Sequence, residues 1–271
     1  MLLHAFPLNA RMWEGQLAFA EQGWRVIAPQ LRGFDDPVGQ VFPRPEETGP
    51  PNAVRHGETG PPTAVRREET YPASVDDYAG DVIDLLDALH IDGAVIGGLS
   101  MGGYIAFAIL RHAARYVHGL ILADTRSQAD TPGDADGRKR MLQLVQDKGP
   151  AALAGEMLPK LLGDTTRAAH PEVVEQVRSL ILSNSANAIA GAIRALMTRP
   201  DSTPLLQTIH FPTLIMVGAE DAVTPPSAAE EMHRAIAGSQ LTIIPAAGHL
   251  TNLEQPQAFN EALARFLGHR V

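Results

Sequence analysis

A chain of 271 residues, 45% hydrophobic and 20% charged, is long enough to bury one large α/β core or two small ones. Its formal net charge of −9 argues against nucleic acid or an anionic membrane surface as partner, because both reward a basic face. With no cysteine in the sequence, disulfides, thiolate metal sites and cysteine nucleophiles are excluded.

Taken in chain order, the opening "MLLHAFPLN" is a short apolar start without a basic region, so it does not read as a signal peptide. It resembles a chain that begins inside a strand. No apolar run approaches the roughly 20 residues needed to cross a bilayer, and the expected location is the cytoplasm. "WRVIAP" (24–29) reads as a buried strand. Residues 38–72 break the rhythm: they are rich in Pro, Gly and charge, and "ETGPPNAVRHG" (47–57) is followed at once by "ETGPPTAVRRE" (58–68). Two copies without apolar periodicity cannot build a solenoid, so a low-complexity, disordered insertion is expected.

The segment 74–90 lines Val75, Tyr78, Val82, Leu85, Leu86 and Leu89 along one stripe, which predicts an amphipathic helix with Ser74 as N-cap. Apolar runs at 93–98, 119–124, 213–218 and 241–246 predict four more strands. Residues 131–204 carry helical patterns only. Strands alternating with helices mean a mostly parallel sheet with helices on both faces, hence an α/β fold. The expected core is 1–130 with 205–271. The helical block 131–204 then lies over the carboxyl ends of the strands, where open α/β sheets bind ligands, as a lid or cap.

The chemistry centres on "GLSMG" (98–102), a G-x-S-x-G pentapeptide placed where a strand gives way to a helix. Gly98 and Gly102 leave room for a tight turn around Ser100. A serine hydroxyl needs a histidine to take its proton and a carboxylate to orient that histidine. His249, in the loop after the last predicted strand, and Asp221, just past the strand 213–218, supply them. Asp221 is favoured over its neighbour Glu220 and over Asp124, which ends the preceding strand. Singly, each has a plainer reading: a helix cap for Ser100 or Asp221, a surface loop residue for His249. The order Ser, Asp, His along the chain favours the chemical one. Backbone N–H groups of Phe6 and Met101 are the candidate oxyanion donors.

The blocks "LLHAFPLNARMW", "QLRGFD", "GLSMGGY", "VGAEDAVTP" and "AGHLTNLEQP" resemble those of the α/β-hydrolase superfamily, closest to small carboxylesterases and to the enol-lactone hydrolases of aromatic degradation. The resemblance spans nearly the whole chain outside 38–72. It implies Ser100, Asp221 and His249 as triad, Phe6 and Met101 as oxyanion donors, and 131–204 as a cap after the sixth family strand. Three departures accompany it. Ala5 stands for the usual Gly, Gln30 for the usual Asp, and two strands expected ahead of Leu2-Leu3 are missing from the given sequence.

The expected function is a serine hydrolase that cleaves a small-molecule carboxylic ester through an acyl-enzyme, with no metal or organic cofactor. The Leu, Ile, Met and Ala content of 131–204 suggests an apolar pocket for a short to medium acyl group. An enol-lactone hydrolase is the alternative and needs a cation for the substrate's carboxylate. Arg126, Arg138, Lys139, Arg140 and Arg194 are available, although a solvated helix face is the expected setting for each. A non-catalytic, ligand-binding member of the fold is the third reading. Oligomeric state is left open.

Overall fold

The carboxyl ends of the strands decide where this protein can do chemistry, and in the computed structural model they are in register. Residues 1–34 and 71–268 are described; the repeat at 47–68, and all of the expected insertion but 71–72, lie outside the described residues. Five strands, β1 (Leu2–Leu3), β2 (Ala94–Leu99), β3 (Val117–Ala123), β4 (Thr213–Gly218) and β5 (Gln240–Ile244), form one parallel sheet in the order β1-β2-β3-β4-β5. Leu99 pairs with Ala123, Ala123 with Met216, and Gly218 with Ile244. The loops that carry Ser100, Asp124, Asp221 and His249 therefore open at one end of the sheet.

Four of the predicted strands are present within three residues of their expected bounds. The fifth is not: 24–29 forms no strand, and Leu2 N–H donates to Ile27 O at 2.7 Å. Its neighbour β1 is two residues long and offers too short an edge to pair with. From Gly119 onward β3 is buried at every position, as is all of β4, so both faces of the sheet centre are covered, which is why these strands read as continuous apolar runs.

The first α-helix, α1 (Val75–Ala88), is capped by Ser74 in a capping box with Asp77 and buries Val75, Tyr78, Val82 and Leu86; Leu85 and Leu89 are half-buried. Helix α2 (Met101–Ala113) follows β2 and is buried along almost its whole length. The block between β3 and β4 is helical, as its patterns predict: α3 (Pro132–Leu161, kinked at Gly149), α4 (Asp164–Ala169), α5 (Pro171–Leu182) and α6 (Ala186–Met197). Helices α7 (Pro226–Ala235), α8 (Thr251–Glu254) and α9 (Pro256–Gly268) complete the core. No single described helix is long and apolar enough to cross a membrane.

Candidate active site

Ser100 sits where β2 turns into α2 with φ +54° and ψ −111°, a region that non-glycine residues enter only when their surroundings hold them there. The hold is visible. Ser100 N–H donates to Ala123 O at 2.9 Å, and Thr125 Oγ1 donates to Ser100 O at 2.9 Å. The flanking glycines are required by contact: a methyl on Gly98 would come 2.1 Å from the Gly102 carbonyl carbon, and one on Gly102 would come 2.1 Å from Leu3 O. The turn thus crosses the neighbouring backbone without side chains and presents the hydroxyl at the strand end.

The structure brings Ser100, His249 and Asp221 together. His249 Nε2 lies 2.8 Å from Ser100 Oγ, and Nδ1 lies 2.8 Å from Asp221 Oδ2. Since the carboxylate accepts only, Nδ1 carries the proton and Nε2 is left as acceptor for the serine hydroxyl. Asp221 is fixed in turn: its Oδ1 accepts the N–H groups of Val223 and Thr224 (2.8 and 2.9 Å), and its Oδ2 accepts Thr224 Oγ1 at 2.7 Å. Burial raises the Asp221 pKa, but the His249 charge and hydrogen bond together with the Thr224 donors outweigh it, so the carboxyl titrates below its usual range. Burial pushes the other way on His249, downward; the Asp221 charge and hydrogen bond, with the Asp124 and Glu254 charges behind them, lift it above the ordinary histidine value.

The two rival acids are elsewhere. Glu220 turns to α4, where its carboxylate accepts Thr165 N–H at 2.9 Å and Thr165 Oγ1 at 2.5 Å. Asp124, fully buried, accepts Gly218 N–H at 3.0 Å and Thr251 Oγ1 at 2.5 Å. Burial and the nearby Asp221 charge push its pKa well up. It ties the ends of β3 and β4 to α8 and has no hydrogen bond to His249 among the described residues.

Phe6 and Met101 both line the cavity over Ser100, and neither backbone N–H finds an acceptor among the described residues. The loop bearing Phe6 is held by His4, whose Nδ1 lies 3.1 Å from Ala5 O while Nε2 accepts Leu31 N–H at 3.3 Å. Burial lowers the His4 pKa to about 4, so the ring is neutral near pH 7. Gln30 fills the place where the resembling family has Asp: it accepts Ala10 N–H and donates to Phe34 O.

The cavity has a volume of about 210 Å³. Met101, Met141, Met157, Leu161, Leu196 and Val223 line it, together with Tyr104, Arg126, Asp134 and Arg138. The lining is mainly apolar, as expected, but it also carries charged side chains. Arg126 and Arg138 are not on a solvated helix face: with Arg199 they converge on Asp130, whose side chain is 5% exposed, and Arg126 also pairs with Asp134 at 2.9 Å. Three guanidiniums against two carboxylates leave one net positive charge. Lys139, Arg140 and Arg194 are exposed, as expected. Sequence reading passed over Thr224, though an Asp followed three residues later by a Thr is the pattern of a side chain that caps its own loop. It passed over Tyr104 and the Asp130 cluster, although Arg126, Asp130, Asp134 and Arg138 are spaced four residues apart and only Arg199 joins from a distance.

Comparison with known proteins follows the same lines. A model of the alpha/beta hydrolase family matches residues 1–262. The chain is 29% identical over 258 residues to 3-oxoadipate enol-lactonase 2 of Acinetobacter baylyi, covering 94% of this chain and 83% of that one. A thermophilic esterase from Thermogutta terrifontis, solved with malate bound, superposes with a TM-score of 0.83 at 38% identity, covering 99% of this chain and 88% of that one. An enol-lactonase from Burkholderia xenovorans shares the fold, with a TM-score of 0.78 at 23% identity over 98% of this chain and 90% of that one.

Proposed function

The chain belongs to the alpha/beta hydrolase family, and from that premise we propose that it is a serine hydrolase cleaving small carboxylic esters through an acyl-enzyme. The observation that carries this reading is the unbroken relay from Ser100 Oγ through both nitrogens of His249 to Asp221, each step 2.8 Å, at the base of a cavity. Ser100 Oγ attacks the ester carbonyl as Nε2 takes its proton. Asp221 holds the tautomer and stabilises the imidazolium. The carbonyl oxygen, now negative, is received by the N–H groups of Phe6 and Met101, the latter at a helix N-terminus where the peptide dipoles favour negative charge. Nε2 returns the proton to the departing alkoxide. Water then repeats the cycle on the acyl-enzyme and frees Ser100.

Hydrolysis of p-nitrophenyl esters of increasing acyl length tests the proposal, together with labelling by a fluorophosphonate and mass mapping of the adduct. Turnover with the adduct on Ser100 supports it. A folded protein that neither turns over nor takes the label is a ligand-binding member of the fold instead.

A second reading concerns the substrate, and the wall of Arg126 and Arg138 favours it. A net positive charge facing the cavity suits an ester or lactone that carries a carboxylate away from the scissile bond, as in an enol-lactone. Paired rates on a neutral ester and on its carboxylate-bearing counterpart distinguish the two.

A further inference from the structure

We propose that Glu254 is a positioning residue that fixes His249 for catalysis and fastens that histidine loop to the helical block; the inference rests on the serine-hydrolase reading above. Glu254 closes α8, is 5% exposed, and lines no part of the cavity. Its Oε1 accepts Gly248 N–H at 2.9 Å and Leu250 N–H at 3.1 Å, the two amides that flank His249. Its Oε2 accepts Gly163 N–H at 2.8 Å, in the link between α3 and α4. The amide of His249 itself donates to Leu161 O, the last residue of α3, at 2.9 Å. One buried carboxylate therefore takes up both amides around the histidine and one from the block that walls the cavity.

The local geometry leaves few other ways to hold this loop. Gly248 and Gly163 run backbone to backbone, and a methyl on Gly248 would come 2.3 Å from Gly163 N. No side chain fits between them, so the support comes from behind, through Glu254. Burying the carboxylate is tolerable because three N–H donors replace its water. Charge adds to position: behind the dominant Asp221, the Glu254 charge also favours the protonated form of His249.

Glutamine is the informative replacement. It has the same shape but one acceptor oxygen, so its NH₂ must face either Gly163 N–H or the Gly248 and Leu250 amides. In Glu254→Gln, kcat per labelled active site is expected to fall roughly 10–100-fold, the scale of an ångström of misplacement, with the loss in kcat rather than KM. The acid limb of kcat/KM should move to lower pH as the charge disappears. Glu254→Asp keeps the charge but is one methylene short, so it should lose kcat while leaving the acid limb where wild type has it. Sites are counted by fluorophosphonate titration, and folding is checked by circular dichroism and Tm.

Wild-type kcat per site in either folded variant, or a Glu254→Gln acid limb that does not move, overturns the proposal. So does failure of both variants to fold, which would make Glu254 a folding residue only. If the wild type neither turns over nor takes the label, it is the hydrolase reading that fails. NMR titration of the His249 imidazole, assigned with His249→Gln, still tests Glu254 in that case: an unchanged midpoint in Glu254→Gln would rule out the role.

Discussion

The loops at the ends of β2, β4 and β5 and the polar wall over the cavity are both buried and both charged, yet they are built on different terms. Ser100, His249 and Asp221 hold one another in a relay whose far end, Asp221, is fixed by the N–H groups of Val223 and Thr224 and by the Thr224 hydroxyl. In the wall, Arg126, Arg138 and Arg199 share Asp130 and Asp134, and Arg126 Nε and Arg199 Nε are buried with no hydrogen-bond partner among the described residues. The first arrangement leaves its groups no freedom. The second leaves two buried guanidinium N–H groups without a partner among the described residues. Chemistry needs groups preorganised to a fraction of an ångström, whereas recognition can leave donors for the ligand to complete.

That contrast can be broken most directly at the serine. Ser100→Ala is expected to lower kcat at least ~10⁴-fold with the fold intact, and Asp221→Asn about as much through the wrong histidine tautomer; ester hydrolysis beside fluorophosphonate labelling reads both. Retention of even a hundredth of wild-type turnover in Ser100→Ala would sink the assignment.

Next comes the backbone that holds the serine. Gly102→Ala drives a methyl to 2.1 Å from Leu3 O, and because that atom is backbone, the sheet must shift. A loss of about 3 kcal/mol or more is expected in urea unfolding; an unchanged midpoint would show the turn to be looser than it looks.

The wall should respond more mildly and selectively. Arg126→Gln is expected to reduce kcat/KM roughly 10–100-fold for a carboxylate-bearing ester, the worth of a charged hydrogen bond, and to leave a neutral ester within about threefold. Equal losses on both esters would mean that Arg126 supports the wall rather than reads the substrate.

A pH profile sharpens the catalytic side. His249 must be neutral to accept the serine proton, and Asp221, Asp124 and Glu254 lift its pKa above 6.5. The neutral form therefore gains ground only above that value, and the acid limb of kcat/KM is expected above pH 6.5. A limb at or below 6.5 contradicts the electrostatics. The smallest effect belongs to the helical block, where Gly155→Ala adds a methyl into open space inside α3. A gain of about 0.5–1 kcal/mol is expected from helix propensity, and a loss in thermal unfolding would show a contact at Gly155 that the structure lacks.

Much of this was legible along the chain because the signals are local. Ser74 and Asp77 lie three residues apart, as the cap of α1 requires. The runs 119–123 and 214–218 are apolar because β3 from Gly119 and all of β4 are buried. Ser100, Asp221 and His249 each follow a strand, and a parallel sheet gathers strand ends at one side, so topology brings them, and Asp124 with them, to one end. The strand expected at 24–29 shows the limit: a strand needs a partner edge, and β1 is two residues long.

What the sequence by itself determined, then, is the α/β architecture and which serine and histidine stand at the carboxyl ends of its strands, with Asp221 favoured there over Asp124, since periodicity and chain order set both. Only the tertiary structure decided the rest. It chose Asp221 over Asp124, gathered Arg126, Arg138 and Arg199 on Asp130, and set Glu254 between Gly163 and the amides around His249. Those choices depend on which buried charge finds which donor across separations of up to 127 residues, and no local pattern encodes that distance.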